Sequence, residues 1–437
     1  MTECAQVSFD FPPVKRRRIE ARFSGGDITS DGGLLLLRQA DRRPGLLEAV
    51  NARLPDPRDG RYVRHDQLTL LRQHVYALCQ GYEDLNDHDQ LRGDLALQTA
   101  TEQDQVLGSS PTLCRLENRM GREAAVSIHQ VLVEQFIASF AEPPEELILD
   151  FDATDDRVHG LQEGRFFHGY YDACCFLPLY VFCGDQLLVS YLRPGKIDGA
   201  RHAWAILALL VKRLRQTWPA VRIILRADSG FCRHCMLRWC ERHGVSYIVG
   251  LARNQRLQRL IEADFAKVEQ RFQATGEKQR HFIDLRYSAK SWGRHRAVIA
   301  RLEVTTQGRN PRFIVTNLNG DARQLYGQVY CARGEMENRI KEQQPGLFAD
   351  RTNAHPWWTN QFRLLSSSLA CVLMETICRL ALHDTELAHA QVGTLRLKLL
   401  KIGAIILRNT RRTRFLLSSA FPYQNLFYAA ARRLVSG

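Results

Sequence analysis

Two apolar, strand-like segments that each end in an aspartate constrain the fold of this chain most. Residues 146–152 read Glu-Leu-Ile-Leu-Asp-Phe-Asp, and residues 222–228 read Arg-Ile-Ile-Leu-Arg-Ala-Asp. Because successive side chains of a strand point to opposite faces, Asp150 and Asp152 share one face of the first strand. Asp152 and Asp228 each take the last strand position, where α/β sheets usually display functional groups. We therefore expect both carboxylates in one sheet.

Strand-like and helical patterns alternate around these two segments. Further strands are indicated at 174–183 and 186–192, a helix at 202–216 and a buried strand at 221–227. Another helix and a strand follow and end near Leu251. This alternation predicts an α/β layer built on a mixed sheet.

The regions on either side of this layer have different patterns. Residues 31–142 show helical periodicity, whereas strand-like runs at 281–287, 296–305 and 312–316 predict an inserted β-rich subdomain. Helices are predicted at 324–343 and 360–382. We divide the chain into a basic flexible arm (1–25), a helical region (26–143), an α/β core in two parts (144–251 and 321–400), a β-rich insertion (252–320) and a basic C-terminal tail (401–437).

The charge of the chain favours a polyanionic partner. Its 437 residues carry a formal net charge of +13, spread over many Arg-rich segments. This charge does not by itself separate DNA from RNA or from a membrane surface. Lys15, Arg16 and Arg17 predict an arm that lies along phosphates, or else a solvated end. Arg115 is on a predicted helix that is either a recognition helix or a plain surface helix.

No apolar stretch approaches the ~20 residues that a membrane helix needs, and the N-terminus lacks the apolar core of a signal peptide. We therefore expect a cytoplasmic protein that is not bound to a membrane. The closely spaced Cys232 and Cys235, with His234 nearby, leave two interpretations open, structural zinc and packed thiols.

A third carboxylate is predicted on the helix that follows the insertion. At about 100° per residue, Tyr330, Arg333, Glu337 and Lys341 fall on one stripe of this helix. The stripe is either an ordinary row of ion pairs or, with the two aspartates, a cation site that Glu337 completes. Neighbouring carboxylates repel unless a cation or proton intervenes, so a shared Mg²⁺ or Mn²⁺ is the simplest way to hold them together.

Taken together, these residues resemble the Asp-Asp-Glu (DDE) transposases of bacterial insertion sequences, in the branch with a β-strand insertion. The similarity extends from about residue 28 to about residue 364. The motifs that carry it are Asp150-Phe-Asp152-Ala-Thr154, His159-Gly160, Gly169-Tyr170-Tyr171, Leu192-Arg-Pro-Gly195, Arg226-Ala-Asp228-Ser-Gly230-Phe231 and Arg333-Gly-Glu-Met-Glu337-Asn-Arg-Ile-Lys341.

The resemblance implies a ribonuclease-H-like core in which Asp152, Asp228 and Glu337 bind two divalent ions. One ion would activate water or a DNA 3′-hydroxyl for attack on phosphorus, and the other would stabilise the departing oxygen. Tyr330 and Arg333 would hold phosphate near the cut.

Two details of the motif leave alternatives open. The lysine of the family's signature often lies seven positions after the Glu, where this chain has Gln344, so Lys341 is the candidate instead. Asp150 is a rival to Asp152 for the first carboxylate, although it lies deeper along the strand.

Related enzymes often cut the second strand through a DNA hairpin, with an aromatic residue against a displaced base. Trp292 is the candidate for this role, or it covers a small core.

The function implied by the resemblance is cut-and-paste transposition in a bacterial, nucleoid-associated enzyme. A homodimer would bind the terminal inverted repeats of double-stranded DNA through the helical region, excise the element and join it to target DNA. Two alternatives remain: a ribonuclease-H-like nuclease without strand transfer, and a domesticated DNA-binding protein.

Overall fold

The computed structural model describes residues 8–435, so part of the predicted basic arm lies outside the described residues. The chain divides into two compact units. The terminal unit comprises Met1–Asn51, Asp56–Leu116 and Thr376–Gly437, and the central unit comprises Ala52–Pro55 and Glu117–Glu375.

The strands are numbered in chain order. They are β1 (Phe9–Val14), β2 (Arg17–Ala21), β3 (Ile28–Thr29), β4 (Glu146–Ala153), β5 (Asp156–Arg157), β6 (Phe166–His168), β7 (Ala173–Phe176), β8 (Leu179–Cys183), β9 (Gln186–Tyr191), β10 (Arg222–Ala227), β11 (Ser246–Leu251), β12 (Gln279–Tyr287), β13 (Arg296–Thr305), β14 (Gly308–Arg309), β15 (Arg312–Thr316), β16 (Ala404–Arg408) and β17 (Thr413–Leu417).

The helices are numbered in the same way. They are α1 (Leu34–Arg42), α2 (Leu46–Arg53), α3 (Gln67–Gln80), α4 (His88–Leu91), α5 (Leu95–Ala100), α6 (Ser110–Asn118), α7 (Arg122–Ala138), α8 (Ala203–Thr217), α9 (His234–Arg242), α10 (Gln255–Thr275), α11 (Ala322–Gln324), α12 (Arg333–Leu347), α13 (Trp357–Ala381), α14 (Val392–Leu395) and α15 (Gln424–Val435). Short π-helical segments span Leu325–Tyr330 and Arg396–Leu400.

A mixed sheet forms the centre of the central unit. Its strands run in the order β12-β13-β15-β11-β10-β4-β8-β9, with β14 paired to β13. Strands β4, β10 and β11 are parallel neighbours, and β8 and β9 continue the sheet in antiparallel fashion. The five strands β9-β8-β4-β10-β11, joined by helices, give the expected ribonuclease-H-like α/β core.

Both faces of this sheet are apolar, as its strand sequences require. Along β10, Ile223 and Leu225 enter one buried cluster, which also contains residues of α7, α8, α9 and α10, and Ile224 enters another on the opposite face. On α12, Met336 and Ile340 are buried beside residues of β8 and α13. A sheet that is buried on both faces needs continuous apolar strands, and β4 and β10 have this pattern.

The segment 252–320 is strand-rich, and the structure adds two features to that expectation. Strands β12, β13 and β15 do not form a separate sheet but continue the core sheet from the free edge of β11. The segment also begins with the 21-residue helix α10, which was not predicted. Its buried residues Leu257, Ile261, Phe265 and Val268 recur at intervals of three and four, so this helix packs one apolar stripe on the extended sheet.

The terminal unit contains helices α1 to α6, a three-stranded sheet and an exposed hairpin. The sheet has the order β17-β16-β3, so the predicted basic tail is a folded hairpin that pairs with an N-terminal strand. Strands β1 and β2 pair with each other, and all their residues are exposed. The segment predicted as a flexible arm therefore contains a β-hairpin from Phe9 to Ala21.

One helix of the described residues, α13, is long and apolar enough to cross a membrane. Of its most apolar window, 67 % is buried within the protein, which is also the behaviour of a core helix. The sequence predicted this helix at 360–382, but not that it is apolar enough to cross a membrane, because polar Asn360 and Ser366–Ser368 interrupt its apolar run.

Candidate active site

The register of β4 and β10 brings the two predicted aspartates together. Phe151 is paired with Ala227 across these parallel strands, so Asp152 and Asp228 occupy the next position on each. Neighbouring strands lie about 4.8 Å apart, so the two carboxylates emerge side by side at the carboxyl edge of the sheet.

Local hydrogen bonds hold each aspartate in place. Asp228 caps the one-turn helix that follows β10, where its Oδ1 accepts a hydrogen bond of 2.9 Å from the backbone N–H of Gly230. The Oδ1 of Asp152 accepts one of 2.8 Å from the N–H of Ala153. The other oxygen of Asp152, Oδ2, lies 3.6 Å from Nη1 of Arg333.

Helix α12 supplies the third carboxylate. Its buried residues Met336 and Ile340 fix the helix against the sheet, and Glu337 is partly exposed. Arg333, one turn earlier, contacts two of the predicted acids: its Nη1 lies 2.5 Å from Glu337 Oε1 and 3.6 Å from Asp152 Oδ2. One guanidinium therefore links the helix-borne glutamate to the strand-borne aspartate.

Asp150, the rival for the first carboxylate, is already engaged. It is 2 % exposed, and both of its oxygens accept hydrogen bonds from Arg226, at 2.5 and 2.6 Å. The remaining nitrogen of Arg226 donates to the carbonyl oxygen of Val329, 2.6 Å away. Asp150 thus anchors the segment that leads into α12, whereas Asp152 lies beside Asp228 and Arg333.

The electrostatics show an excess of negative charge. Burial raises the pKa of Asp152 to about 7, and the charges of Asp228 and Glu337 add to the effect, while Arg333 and the Ala153 N–H oppose it. Arg333 provides one positive charge against three carboxylates. The site therefore favours either protonation of Asp152 or additional cations.

The residue types fit divalent metal ions. Hard cations such as Mg²⁺ prefer carboxylate oxygens, and all three acids offer them. Across residues 8–435, no three Asp, Glu, His or Cys side chains already stand at metal-ligating distances. The cation beside Asp152 and Glu337 is the guanidinium of Arg333, so metal binding requires this side chain to move.

Tyr330 lies at the same edge of the sheet. A Cβ atom on Gly250 of β11 would come within 2.7 Å of the Tyr330 hydroxyl and 2.6 Å of the Ser229 backbone nitrogen. The Arg333 guanidinium carbon is 6.0 Å from the centre of the Tyr330 ring. Burial raises the pKa of Tyr330, so its hydroxyl remains a neutral hydrogen-bond donor.

The other residues predicted to contact DNA have different positions. Lys341 is exposed on α12, and Arg115 is exposed on α6. Lys15, Arg16 and Arg17 are exposed around the turn of the β1–β2 hairpin. Among the predicted DNA contacts of the central unit, Arg333 touches two of the carboxylates, and Tyr330 lies beside the turn that follows Asp228.

Trp292 does not fit the base-stacking role expected for it. Only 8 % of the residue is exposed, and its ring packs edge-to-face on Tyr287, with 5.6 Å between ring centres. The guanidinium of Arg296 covers the ring at 4.8 Å from its centre. The insertion uses Trp292 as a core residue, which is the second of the two interpretations.

Three residues that support the site from its surroundings were not identified as such from the sequence. Arg226 could have been found, because a charged residue inside an apolar strand needs a partner and Asp150 occupies the matching position of the other strand. Gln344, which stands where the signature lysine often lies, donates to the carbonyl oxygen of Asp155 at 3.1 Å. Neither this contact nor the closeness of Gly250 to Tyr330 leaves a pattern in the sequence.

Comparison with known proteins shows the family of this chain. The fold and the site define a DDE transposase, a metal-dependent enzyme class that cleaves DNA and transfers strands. The chain matches the family model described as "Transposase DDE domain group 1" over residues 11–436 and belongs to that family. Such enzymes generally use divalent metal ions and act on DNA.

Among solved structures, the chain is similar to one titled "Cryo-EM structure of piggyBac transposase synaptic complex with hairpin DNA". The identity is 10 % and the TM-score 0.43, over 85 % of this chain and 80 % of that chain. No curated protein matches the chain.

Proposed function

We propose that the protein is a cut-and-paste transposase whose catalytic residues are Asp152, Asp228 and Glu337. It binds the terminal inverted repeats of its element, cleaves the DNA at the element ends and transfers the freed strands to target DNA. The observation that carries this proposal is that segments far apart in the chain bring Asp152 and Asp228 to adjacent strand ends and Glu337 to the same Arg333 guanidinium that contacts Asp152.

Each residue has a distinct role in this proposal. Asp152 and Asp228, fixed by their strands, and Glu337, fixed by α12, hold two divalent ions, Mg²⁺ or Mn²⁺. When bound, these ions supply activation of the attacking oxygen and stabilisation of the departing oxygen of the phosphodiester. Arg333 moves away from the carboxylates toward the phosphate, where its planar guanidinium can donate two hydrogen bonds. Tyr330, whose hydroxyl lies beside Gly250 of β11, positions the phosphate.

The DNA is held by further basic residues. Lys341 continues the stripe of α12 beyond Glu337, and Arg115 on α6 and the hairpin residues Lys15, Arg16 and Arg17 contact the DNA backbone. The net charge of +13 supports a large polyanionic partner. We infer that a homodimer joins two element ends, and that the enzyme works in the bacterial nucleoid.

The direct test is cleavage and joining of DNA that carries the ends of the element with their flanks. With Mg²⁺, the wild type should release the element and join its 3′-hydroxyl ends to a target plasmid. Asp228→Asn should lower both reactions by at least about a thousand-fold, since an amide does not hold a divalent ion in place of a carboxylate. The matched control is Asp284→Asn, at an exposed position of β12, which should retain activity.

The outcome also separates the alternatives. Cleavage without joining would identify a nuclease, and binding of the ends without either reaction would identify a DNA-binding protein. Equal cleavage by the wild type and Asp228→Asn would show that the catalytic assignment is wrong.

A further inference from the structure

A small sheet next to the site carries an unusual group of exposed aromatic residues. It has the order β5-β7-β6, and β5 begins four residues after Asp152. In the β6–β7 hairpin, Phe167 is 61 % exposed and Tyr170 is 85 % exposed. The hairpin contains the Gly169-Tyr170-Tyr171 motif, which has no role in the chemistry proposed above.

The base of this hairpin is rigidly supported. A Cβ atom on Gly195 would overlap the carbonyl oxygen of Cys175 in β7 and lie 2.8 Å from that of Phe166 in β6, so another segment packs closely beneath both strands. Lys196, the next residue, places its ammonium 3.9 Å from the centre of the Phe166 ring. Phe176 at the end of β7 packs edge-to-face on Trp357, with 5.4 Å between ring centres.

The tip of the hairpin is an ordered group of rings. The His168 and Tyr171 rings lie 4.9 Å apart, and those of Tyr171 and Tyr170 lie 5.0 Å apart and perpendicular. The backbone N–H of Tyr171 donates to the carbonyl oxygen of His168 and closes the turn. The Tyr170 ring therefore projects into solvent from a packed frame, which reduces the conformational entropy that it loses on binding.

The position and charge of the hairpin indicate its ligand. Tyr171 lies within electrostatic range of Asp155 and Asp152, whose charges, together with burial, raise its pKa. Lys196 is exposed and Arg165 partly exposed beside the rings, so aromatic surface and positive charge occur together. This combination is typical of proteins that stack bases and follow a nucleic-acid backbone.

We propose that the β6–β7 hairpin is a stacking platform for unpaired nucleotides of the DNA strand next to the catalytic carboxylates, with Phe167 and Tyr170 as the stacking residues. Bases inside a duplex have both faces covered by their neighbours, so projecting rings can bind only bases that have left the stack. Lys196 and Arg165 hold the adjoining phosphates. This inference rests on the proposed function, because it places the hairpin beside a DNA cleavage site.

The test is a binding experiment that does not depend on catalysis. The full-length protein is titrated, in EDTA, with a forked DNA whose unpaired arms carry 2-aminopurine, and with a blunt duplex of the same paired sequence. The wild type should bind the fork more tightly and quench the 2-aminopurine emission. Tyr170→Ala and Phe167→Ala should each weaken fork binding by about ten-fold and reduce quenching, since one stacked base contributes roughly this much. Their affinity for the duplex should not change.

Two controls separate stacking from general damage. Tyr170→Phe keeps the ring and should behave as the wild type. Tyr428→Ala removes a tyrosine of α15 that is 55 % exposed and has no part in the proposed DNA contacts, and it should also have no effect. Equal binding of the fork by wild type and Tyr170→Ala would overturn the platform. So would a Tyr170→Ala variant that loses fork and duplex binding equally, or one that changes only in oligomeric state. A wild type that binds neither DNA would overturn the proposed function and the platform with it.

Discussion

Arg226 and Asp150 face each other on adjacent parallel strands and share two hydrogen bonds of 2.5 and 2.6 Å. The side chains are 8 % and 3 % exposed, so this is a buried ion pair. Because Arg226 also donates to the carbonyl oxygen of Val329, the pair connects the sheet to the segment that leads into α12. The position of Glu337 therefore depends on two residues that do not themselves reach the site.

Removal of one partner of this pair should be costly. Arg226→Met leaves Asp150 buried without a counter-charge, and we expect a loss of about 3–5 kcal/mol in the free energy of unfolding, measured by urea denaturation. The double variant Asp150→Leu/Arg226→Met should recover most of this loss because no unpaired charge remains.

A surface ion pair on the same two strands provides the comparison. Arg222 and Glu146 lie four residues before Arg226 and Asp150, and their side chains are 67 % and 30 % exposed. Arg222→Met should cost less than about 1 kcal/mol. Equal effects of the two Arg→Met substitutions would contradict the structural role of the buried pair.

The metal-free protein should be stabilised by Asp152→Asn. Burial raises the pKa of Asp152 to about 7 in the folded protein, whereas an unfolded aspartate ionises near pH ~3.9. Between these values the folded state keeps a proton that the unfolded state has lost, so the stability of the wild type falls as pH rises from about 4 to about 7.

The free energy of unfolding that Asp152→Asn adds should thus be smallest below about pH 4, grow up to about pH 7 and stay constant above it. Its largest value should be roughly 2–4 kcal/mol. Thermal unfolding in EDTA across this pH range measures it, with Asp284→Asn as the control that shows no such trend. A constant or falling gain with rising pH would refute the burial of an excess carboxylate.

Gly250 should not tolerate a side chain. A Cβ atom there would come within 2.6 Å of the Ser229 nitrogen and 2.7 Å of the Tyr330 hydroxyl, so Gly250→Ala must displace the turn after Asp228 or the tyrosine. We expect a loss of about 1–3 kcal/mol in stability and a lower cleavage rate. Gly334→Ala on α12, where a Cβ meets nothing within 4 Å, should stabilise the helix by up to about 1 kcal/mol. The melting temperatures of the two variants should therefore move in opposite directions.

Trp292 should affect stability and not DNA binding. Because its ring is buried between Tyr287 and Arg296, Trp292→Ala should cost about 3–5 kcal/mol. Trp292→Phe should cost less and leave the affinity for forked and duplex DNA unchanged. Selective loss of fork binding in Trp292→Phe would restore the base-stacking role for this residue.

Much of the core could be predicted because its pattern is local. Strands β13 and β15 have the bounds expected from their apolar runs, and β4 and β10 end within one residue of Asp152 and Asp228, where the sequence changes from apolar to polar residues. The helical period alone was enough to predict that Arg333 and Glu337 lie on one stripe of a helix. These features depend on neighbours in sequence.

The remaining features depend on long-range contacts or on competing patterns. Helix α10 had an apolar stripe from Leu257 to Val268, but the many charged residues between its members obscured it. The continuation of the core sheet through β15, β13 and β12 is set by pairing between distant strands, which alternation within one strand does not specify. The π-helical segment before α12 is also held by a long-range contact, the hydrogen bond that Arg226 donates to the carbonyl oxygen of Val329.

The most direct measurement of the central claim is the number of Mn²⁺ ions bound to the protein, determined by electron paramagnetic resonance. The wild type on DNA that carries an element end should bind two ions per chain. Asp152→Asn, Asp228→Asn and Glu337→Gln should each lose at least one of them, while Asp284→Asn keeps both. Retention of two ions in all three site variants would contradict the shared carboxylate site.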